Sequence, residues 1–281
     1  MTTYGENEGQ GKYWNEKPGQ SWVAHDASMN ERLSNISEIL FEGLDAANCK
    51  NGLDIGCGAG STTRRLHKLL GAQSKVTGLD ISEQLLNLAR SAERNELIEY
   101  VQADAQSFSF DEQETDIAIS RFGVMFFENP VKAFENIRSA IKQGGQFRFV
   151  CWAPLEVNEF FYAPLNAVMD ITGVSLAAPG KEPGPLAFSD YDYLSSVLKN
   201  SGFSSVKIDV VETVIRTEDS AEQNASLLME IGMGFRAIKE AQPAPEMLKN
   251  IKNAFVQDGL LRQKDGVISF GATIYRVTAR A

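Results

Sequence analysis

The sequence predicts an α/β fold, a seven-stranded and mostly parallel sheet with helices on both faces, an antiparallel last strand and helical cap insertions. Three observations predict it. Short apolar segments alternate with segments of helical spacing between residues 52 and 152, which is the pattern of βαβ units with right-handed crossovers. A glycine-rich turn, Gly56 to Gly60, follows the first of those apolar segments, and Asp80 and Asp104 close the next two.

Taken in order, residues 1–28 are polar but carry Tyr4, Tyr13, Trp14 and Trp22. Met29, Leu33, Ile36, Ile39, Leu40 and Leu44 then recur at helical spacing, an amphipathic helix leading into the core. Residues 52–55 read as the first strand, and residues 62–70 as a helix closed by Gly71. A second strand covers 75–80. Ser82 caps a helix running to about Glu93, with Ile81 placed to pack on Leu86 as a hydrophobic staple. Residues 98–104 and 116–120 supply the third and fourth strands. Pro130 opens the next helix at its first position, where no hydrogen bond is lost; that helix runs to Gly144-Gly145, and residues 146–152 form the fifth strand.

The alternation changes after residue 152. Pro179, Gly180, Pro183, Gly184 and Pro185 mark an irregular segment, followed by a helix capped by Ser189 and ending near Gly202. Residues 206–216 read as a strand, 220–240 and 245–257 as helices, and 267–278 as the last strand, antiparallel at its edge of the sheet. The expected organisation is a single domain: an aromatic arm and helix (1–50), a ligand-binding core (51–152), and the remaining strands with cap helices (153–281).

Composition narrows the partners. With 27 Lys plus Arg against 37 Asp plus Glu, the formal charge is −10, and no basic cluster breaks the acidic balance. Such a surface repels phosphate backbones and anionic membranes, so neither nucleic acid nor membrane is expected and a small molecule is the default substrate. Cys49, Cys57 and Cys151 lie far apart with only two histidines in the chain, which disfavours a metal site or a disulfide framework and fits a reducing compartment. The first residues lack the basic and apolar regions of a signal peptide, and no apolar run reaches spanning length, so the expected location is the cytoplasm.

A glycine turn after a first strand permits close approach of a ligand to the main chain, and the following helix points N–H groups and a partial positive charge at it. Dinucleotides, S-adenosylmethionine (SAM) and simple tight turns all use such a loop, and spacing separates them. In the dinucleotide fingerprint G-x-G-x-x-G the third glycine lets helix and strand pack closely; here it comes one position early, at Gly60, and Ser61 stands in its place. Asp54 opens the loop, where it suits an ammonium better than a diphosphate. Asp80 lies about twenty residues beyond the glycines, where a carboxylate accepts both ribose hydroxyls. Asp104 is placed to accept a proton from an adenine amino group.

Residues 53–63 (Leu-Asp-Ile-Gly-Cys-Gly-Ala-Gly-Ser-Thr-Thr), Gly78 to Ser82, Gln102 to Ala105 and the Lys142 to Gly145 turn together resemble class I SAM-dependent methyltransferases, whose core is Rossmann-like. Within these, the resemblance is to the ubiquinone/menaquinone-biosynthesis branch, and it covers about residues 30–152. It implies SAM as cofactor, with Gly56, Gly58 and Gly60 at the methionine moiety, Asp80 at the ribose, Ile81 on the apolar face of adenine, and Asp104 with Ala105 at the adenine edge. Ser120 and Arg121 then resemble the floor beneath the sulfonium. Cys57 occupies a variable position of the loop and is given no redox or nucleophilic role.

Methyl transfer to an acidic group can require a base, and histidine is the first candidate. His25, in the arm that family members fold over the cofactor, is a candidate base, though a capping or hydrogen-bonding role competes. His67, within Arg64-Arg65-Leu66-His67-Lys68, reads as solvated surface. Arg121 either orients an acidic substrate or pairs with a neighbouring carboxylate. Trp14 and Trp22 close a lid over cofactor and acceptor or anchor the arm. Phe160, Phe161 and Tyr162 are placed to line an acceptor pocket, whereas Met229, Met233 and Phe235 share a helix face that is more often core. The expected activity is methyl transfer to a small molecule. The alternatives are another SAM-using transfer, a non-catalytic SAM-binding protein and an NAD-dependent oxidoreductase, the last disfavoured by Ser61. A homodimer stays open.

Overall fold

In the computed structural model, which describes residues 5–177 and 179–281, the sheet runs in the order β3-β2-β1-β4-β5-β8-β6. Its strands are β1 (Asn51–Ile55), β2 (Lys75–Asp80), β3 (Ile98–Gln102), β4 (Thr115–Arg121), β5 (Ile141–Trp152), β6 (Ser204–Thr217) and β8 (Val267–Arg280), with a two-residue β7 (Gln263–Lys264) folding back on β8. β1 to β5 are mutually parallel, and β8 is antiparallel to both β5 and β6. Parallel strands are covered on both faces, so Leu53, Ile55, Val76, Leu79, Ile117 and Ile119 are all buried. After β3 the chain returns to the other side of β1 to form β4. This reversal of strand order creates the crevice at the carboxyl ends of the strands where open α/β sheets take their ligands.

The helices between these strands follow their capping residues. α5 (Ser61–Leu70) ends at Gly71, whose φ of 101° no ordinary side chain favours. α6 (Glu83–Ala92) starts under the Ser82 hydroxyl, which accepts from the Leu85 N–H. α7 (Pro130–Ala140) starts with Asn129 capping the Lys132 N–H and Pro130 in its first turn.

Several elements differ from the sequence reading. The arm is helical, with α1 (Glu8–Asn15) and α2 (Lys17–Ala24), and Tyr4 lies outside the described residues. Helices this short are not stable alone. They are held by docking: Asn15 Nδ2 donates to the Ile81 carbonyl, Asn15 Oδ1 accepts from the Glu83 N–H, and Ser82 Oγ donates to the Trp14 carbonyl. The helix expected from Met29 to Leu44 is divided at Leu33 into α3 (Asp26–Arg32) and α4 (Ser34–Phe41). β3 stops at Gln102, so Asp104 sits in the turn beyond the strand rather than at its end. α7 stops at Ala140 rather than at the glycines, because β5 begins at Ile141 and pairs with Thr115 across a register shift.

Beyond β5 an unexpected helix, α8 (Glu159–Thr172), accommodates Pro164 while burying Phe160, Phe161, Leu165 and Val168. α9 (Tyr191–Asn200) is capped by Asp190, not Ser189. The expected 220–240 helix is two, α10 (Ala221–Leu228) and α11 (Gly232–Ala241), separated where Gly232 takes a φ of 89°. α12 (Pro245–Arg262) continues past residue 257 into the hairpin. None of the described helices is long and apolar enough to cross a membrane.

Candidate active site

The glycine loop is anchored before it can bind anything. Gly56 and Cys57 both donate their N–H groups to the Leu79 carbonyl at the end of β2, at 2.8 and 3.1 Å. Gly56, Gly58 and Gly60 all have left-handed backbones, with φ of 67°, 55° and 79°. Their surroundings differ. A Cβ on Gly56 would lie 2.5 Å from the Gly123 Cα, and one on Gly60 would strike the Tyr100 hydroxyl, whereas one on Gly58 would meet nothing within 4 Å. Gly58 is therefore the loop's open point. Gly60 caps α5 without a side chain, leaving the first-turn N–H groups for a ligand.

Three carboxylates surround this loop. Asp54 is 0 % exposed; its Oδ2 accepts from the Thr62 and Thr63 hydroxyls at 2.7 Å each, and its Oδ1 has no hydrogen-bond partner among the described residues. Burial pushes its pKa up to about 6, and the two threonine hydroxyls and the Arg121 charge oppose that rise. Because the folded value lies above the ordinary 3.8, the native state holds this proton more tightly than the unfolded chain. The resulting contribution to stability is fully present below about pH 4 and is lost as pH rises through about 6. Denaturant titrations of the wild type and Asp54→Asn should show the wild type losing stability relative to the variant across that window; a difference independent of pH would contradict the assignment.

Asp80 is 8 % exposed, with Oδ2 accepting from the Gly58 N–H and Oδ1 from the Ser82 N–H, each at 2.8 Å. Burial raises its pKa, and the N–H groups of Ser82, Gly58 and Ile81 counter the rise. Each oxygen retains acceptor capacity, since a carboxylate has about four lone-pair sites. Asp104 Oδ1 accepts from Asn7 Nδ2 and the Gln106 N–H, and its Oδ2 from the Ser107 hydroxyl. Ala105 beside it is buried, and the half-buried Ile81 offers its carbonyl to Asn15 and Gln102.

The remaining candidates fall in distinct places. Ser120 Oγ donates to the Ile55 carbonyl at 2.7 Å and accepts from the Gly123 N–H, tying the ends of β4 and β1 together. Cys57 is buried, which pushes its thiol well above the usual range and keeps it protonated. Arg121 directs its guanidinium at Ser37 Oγ, Asn30 Oδ1 and Ser61 Oγ, joining α3, α4 and α5, with Asp54 and Asp26 as charged neighbours. Trp14 packs edge-on against Trp22 and Phe126. His25, between α2 and α3, places Nε2 3.2 Å from Glu230 Oε2, across the gap from arm to cap. His67 is not solvated surface: it is 9 % exposed, with Ser74 Oγ 3.1 Å from Nδ1 and Asn95 Nδ2 2.9 Å from Nε2.

Phe160 and Phe161 are core, Phe160 edge-on to Phe270 and Phe161 to Trp152. Tyr162 instead lines a cavity of about 420 Å³ with Leu155, Leu165, Met169 and Met233. β5 is parallel to β1, so the chain leaving Trp152 toward this cavity emerges at the same end of the sheet as the glycine loop. Sequence reasoning did not find Asn7, Asn15 or Thr62 and Thr63. The threonines follow the loop within two turns of Asp54 and were legible as partners; the asparagines meet their partners only through the tertiary fold.

Residues 53–149 match the methyltransferase domain family. The demethylmenaquinone methyltransferase of Staphylococcus carnosus is 29% identical over 168 residues, 56% of this chain and 68% of that one. A ubiquinone/menaquinone biosynthesis C-methyltransferase of Escherichia coli is 27% identical over 183 residues, covering 58% and 71%. Among solved structures, a candidate methyltransferase of Bacillus halodurans superposes with a TM-score of 0.54 at 18% identity, over 88% of this chain and 98% of that one. Phosphoethanolamine N-methyltransferase 2 of Haemonchus contortus, solved with phosphomonomethylethanolamine and S-adenosylhomocysteine, gives 0.52 at 16% identity, over 88% and 52%. The structural matches show the shared fold. The match over β1 to β5 makes residues 53–149 a methyltransferase domain of the class I SAM-dependent type, and the chain resembles the ubiquinone/menaquinone-biosynthesis methyltransferases over that core and beyond it.

Proposed function

We propose that the crevice at the ends of β1, β2 and β3 holds SAM, and that the acceptor is an apolar aromatic small molecule entering between arm and cap. The observation that carries the cofactor site is Asp80: a buried carboxylate fixed by two backbone N–H groups, with one acceptor position left on each oxygen. That capacity matches the two hydroxyls of a ribose. Two further features fit the same ligand. Asp54 Oδ1 is a buried acceptor lacking a partner, suited to the ammonium of a methionine moiety, and the open side of Gly58 admits a ligand against the backbone. Asp104, with Ala105 beside it, would take the adenine edge, Ile81 and Trp22 its surroundings, and Ser120 would hold the loop's geometry from below.

SAM, when bound, supplies a methyl group already activated by its positive sulfur. The chain's task is then alignment and exclusion of water, which requires no covalent enzyme intermediate. Trp14 and Trp22, packed edge-on in the arm, would close over the crevice, and the cavity beside Tyr162, Leu165, Met169 and Met233 would offer a mainly apolar surface for the acceptor. The relatives named for demethylmenaquinone and for ubiquinone/menaquinone biosynthesis support an aromatic acceptor. His25, in contact with Glu230, would take a proton from the acceptor, and Arg121, which donates to Asn30, Ser37 and Ser61, would position α3 and α4 rather than touch substrate.

The cofactor assignment is tested at Asp80. In Asp80→Ala, the affinity for S-adenosylhomocysteine measured by calorimetry should fall by about 1–3 kcal/mol, through loss of charge-assisted hydrogen bonds. Unchanged affinity would place the cofactor elsewhere. Mass analysis of candidate aromatic acceptors after incubation with methyl-labelled SAM tests the acceptor class; label appearing only on polar amines would overturn it.

A further inference from the structure

We infer that Asn7, in the arm, is an adenine-selecting residue whose side-chain oxygen accepts one N–H of the cofactor's exocyclic amino group while Asp104 accepts the other. The inference rests on the proposed adenine site at Asp104. Asn7 is 4 % exposed and donates from Nδ2 to Asp104 Oδ1 at 3.1 Å, a contact between residues 97 positions apart. That bond fixes which way the amide points, because the flipped amide would set oxygen against carboxylate. Asn7 Oδ1 is consequently buried without a hydrogen-bond partner among the described residues, and Gln10 Oε1, on the first turn of α1, is in the same condition. Buried acceptors are nearly always satisfied in native proteins, so an orphan beside a ligand site points to a donor brought by the ligand.

The local inventory identifies the donor. Asp104 Oδ1 already takes two N–H groups, whereas Oδ2 takes only the Ser107 hydroxyl and has capacity for another. The space around this carboxylate therefore presents two unsaturated acceptors, Asp104 Oδ2 and Asn7 Oδ1, and both need donors. An exocyclic amino group has two N–H donors and suits both acceptors. The keto oxygen of hypoxanthine would face oxygens on both sides. Asn7 thereby adds to cofactor choice as well as to arm docking, since recognition of the base and closure of the arm use the same side chain.

Calorimetric titration with S-adenosylhomocysteine and with S-inosylhomocysteine, which carries a keto oxygen in place of the amino group, tests this. The wild type should prefer the adenine compound. In Asn7→Leu, which keeps the bulk and removes the acceptor, the ratio of the two dissociation constants should fall about five- to tenfold, the effect of one hydrogen bond at a buried site. If Asn7→Leu weakens both compounds by the same factor, Asn7 only docks the arm and the inference is overturned. Asp104→Asn separates that failure from failure of the site itself. A wild-type preference that Asp104→Asn abolishes leaves the adenine site standing whatever Asn7 does, whereas a wild type without preference overturns both. Thermal melts check that the variants fold, and Asn7→Ala replaces Asn7→Leu if the larger apolar group prevents folding.

Discussion

Phe134→Ala is expected to destabilise the chain by about 3–5 kcal/mol, the largest effect of any single truncation in this core. Phe134 lies on α7 and is 0 % exposed. Its ring is surrounded by those of Phe127, Phe147, Phe149, Phe188 and Phe203, with centroid separations from 5.6 to 6.4 Å. Those five partners come from the loop before α7, from β5, from the segment before α9 and from the loop before β6. Removing the central ring leaves a cavity that four separate pieces of chain would have to close together, and rigid strands on one side prevent collapse. The measurement is the urea midpoint and slope by circular dichroism. A loss under about 1 kcal/mol with unchanged slope would mean that the aromatic cluster repacks and is not the keystone of this face.

Gly56→Ala is expected to lower kcat/KM by roughly 10²-fold or more, because it displaces the loop proposed to hold the methyl donor. The left-handed backbone at Gly56 would cost an alanine about 1 kcal/mol, which alone would be tolerable. The decisive contact is backbone against backbone: the new methyl carbon would lie 2.5 Å from Gly123 Cα, and Gly123 has little room to retreat, since a Cβ built on it would lie 2.5 Å from the Ile55 carbonyl oxygen. Neither side has a flexible side chain that can yield, so the loop at the end of β1 or the turn after β4 must move. Gly58→Ala is the control. It shares the left-handed strain but meets nothing within 4 Å, so its thermal stability should drop only slightly while cofactor binding suffers from the blocked approach. Wild-type turnover in Gly56→Ala would show that the loop tolerates displacement and that its glycines are not positioned by contact.

These expectations rest on parts of the molecule that local sequence reports well. β1 to β5 are legible because parallel strands buried on both faces read as short apolar runs, and because Gly56 to Gly60, Asp80 and Pro130 mark where they end and helices begin. The elements that were not legible depend on distant partners. α1 and α2 carry three glycines and a proline and have little intrinsic helicity; what fixes them is Asn15 and Trp14 gripping the start of α6, some seventy residues away. α8 holds its helix despite Pro164 because four large apolar side chains are buried along it. His67 follows two arginines and reads as surface, yet Ser74 and Asn95 close over it from the strand ends. Of the candidate site, the gathering of Asp54, Asp80 and Asp104 around the glycine loop was legible by spacing alone. Asn7 was not, since a polar residue in a polar arm has no signal until Asp104 is beside it. The aromatic residues after β5 divide: Tyr162 faces the cavity, but Phe160, two positions earlier on the same helix, turns into the core.

The position of β8 in the sheet also orders events during synthesis. β8, later in sequence than β5 and β6, lies between them, so among the described residues β6 has no neighbour to pair with until residues 267–280 have emerged. Until then the seven residues Gln146–Trp152 of β5 form an open edge, with N–H and carbonyl groups available to any passing strand. The nascent chain can assemble β1 to β5, with the glycine loop, early and by local steps. The rest must wait, because closing the sheet brings together segments more than a hundred residues apart. Growth of the chain thus separates in time the assembly of the loop-bearing half from that of the half that carries the Tyr162 cavity.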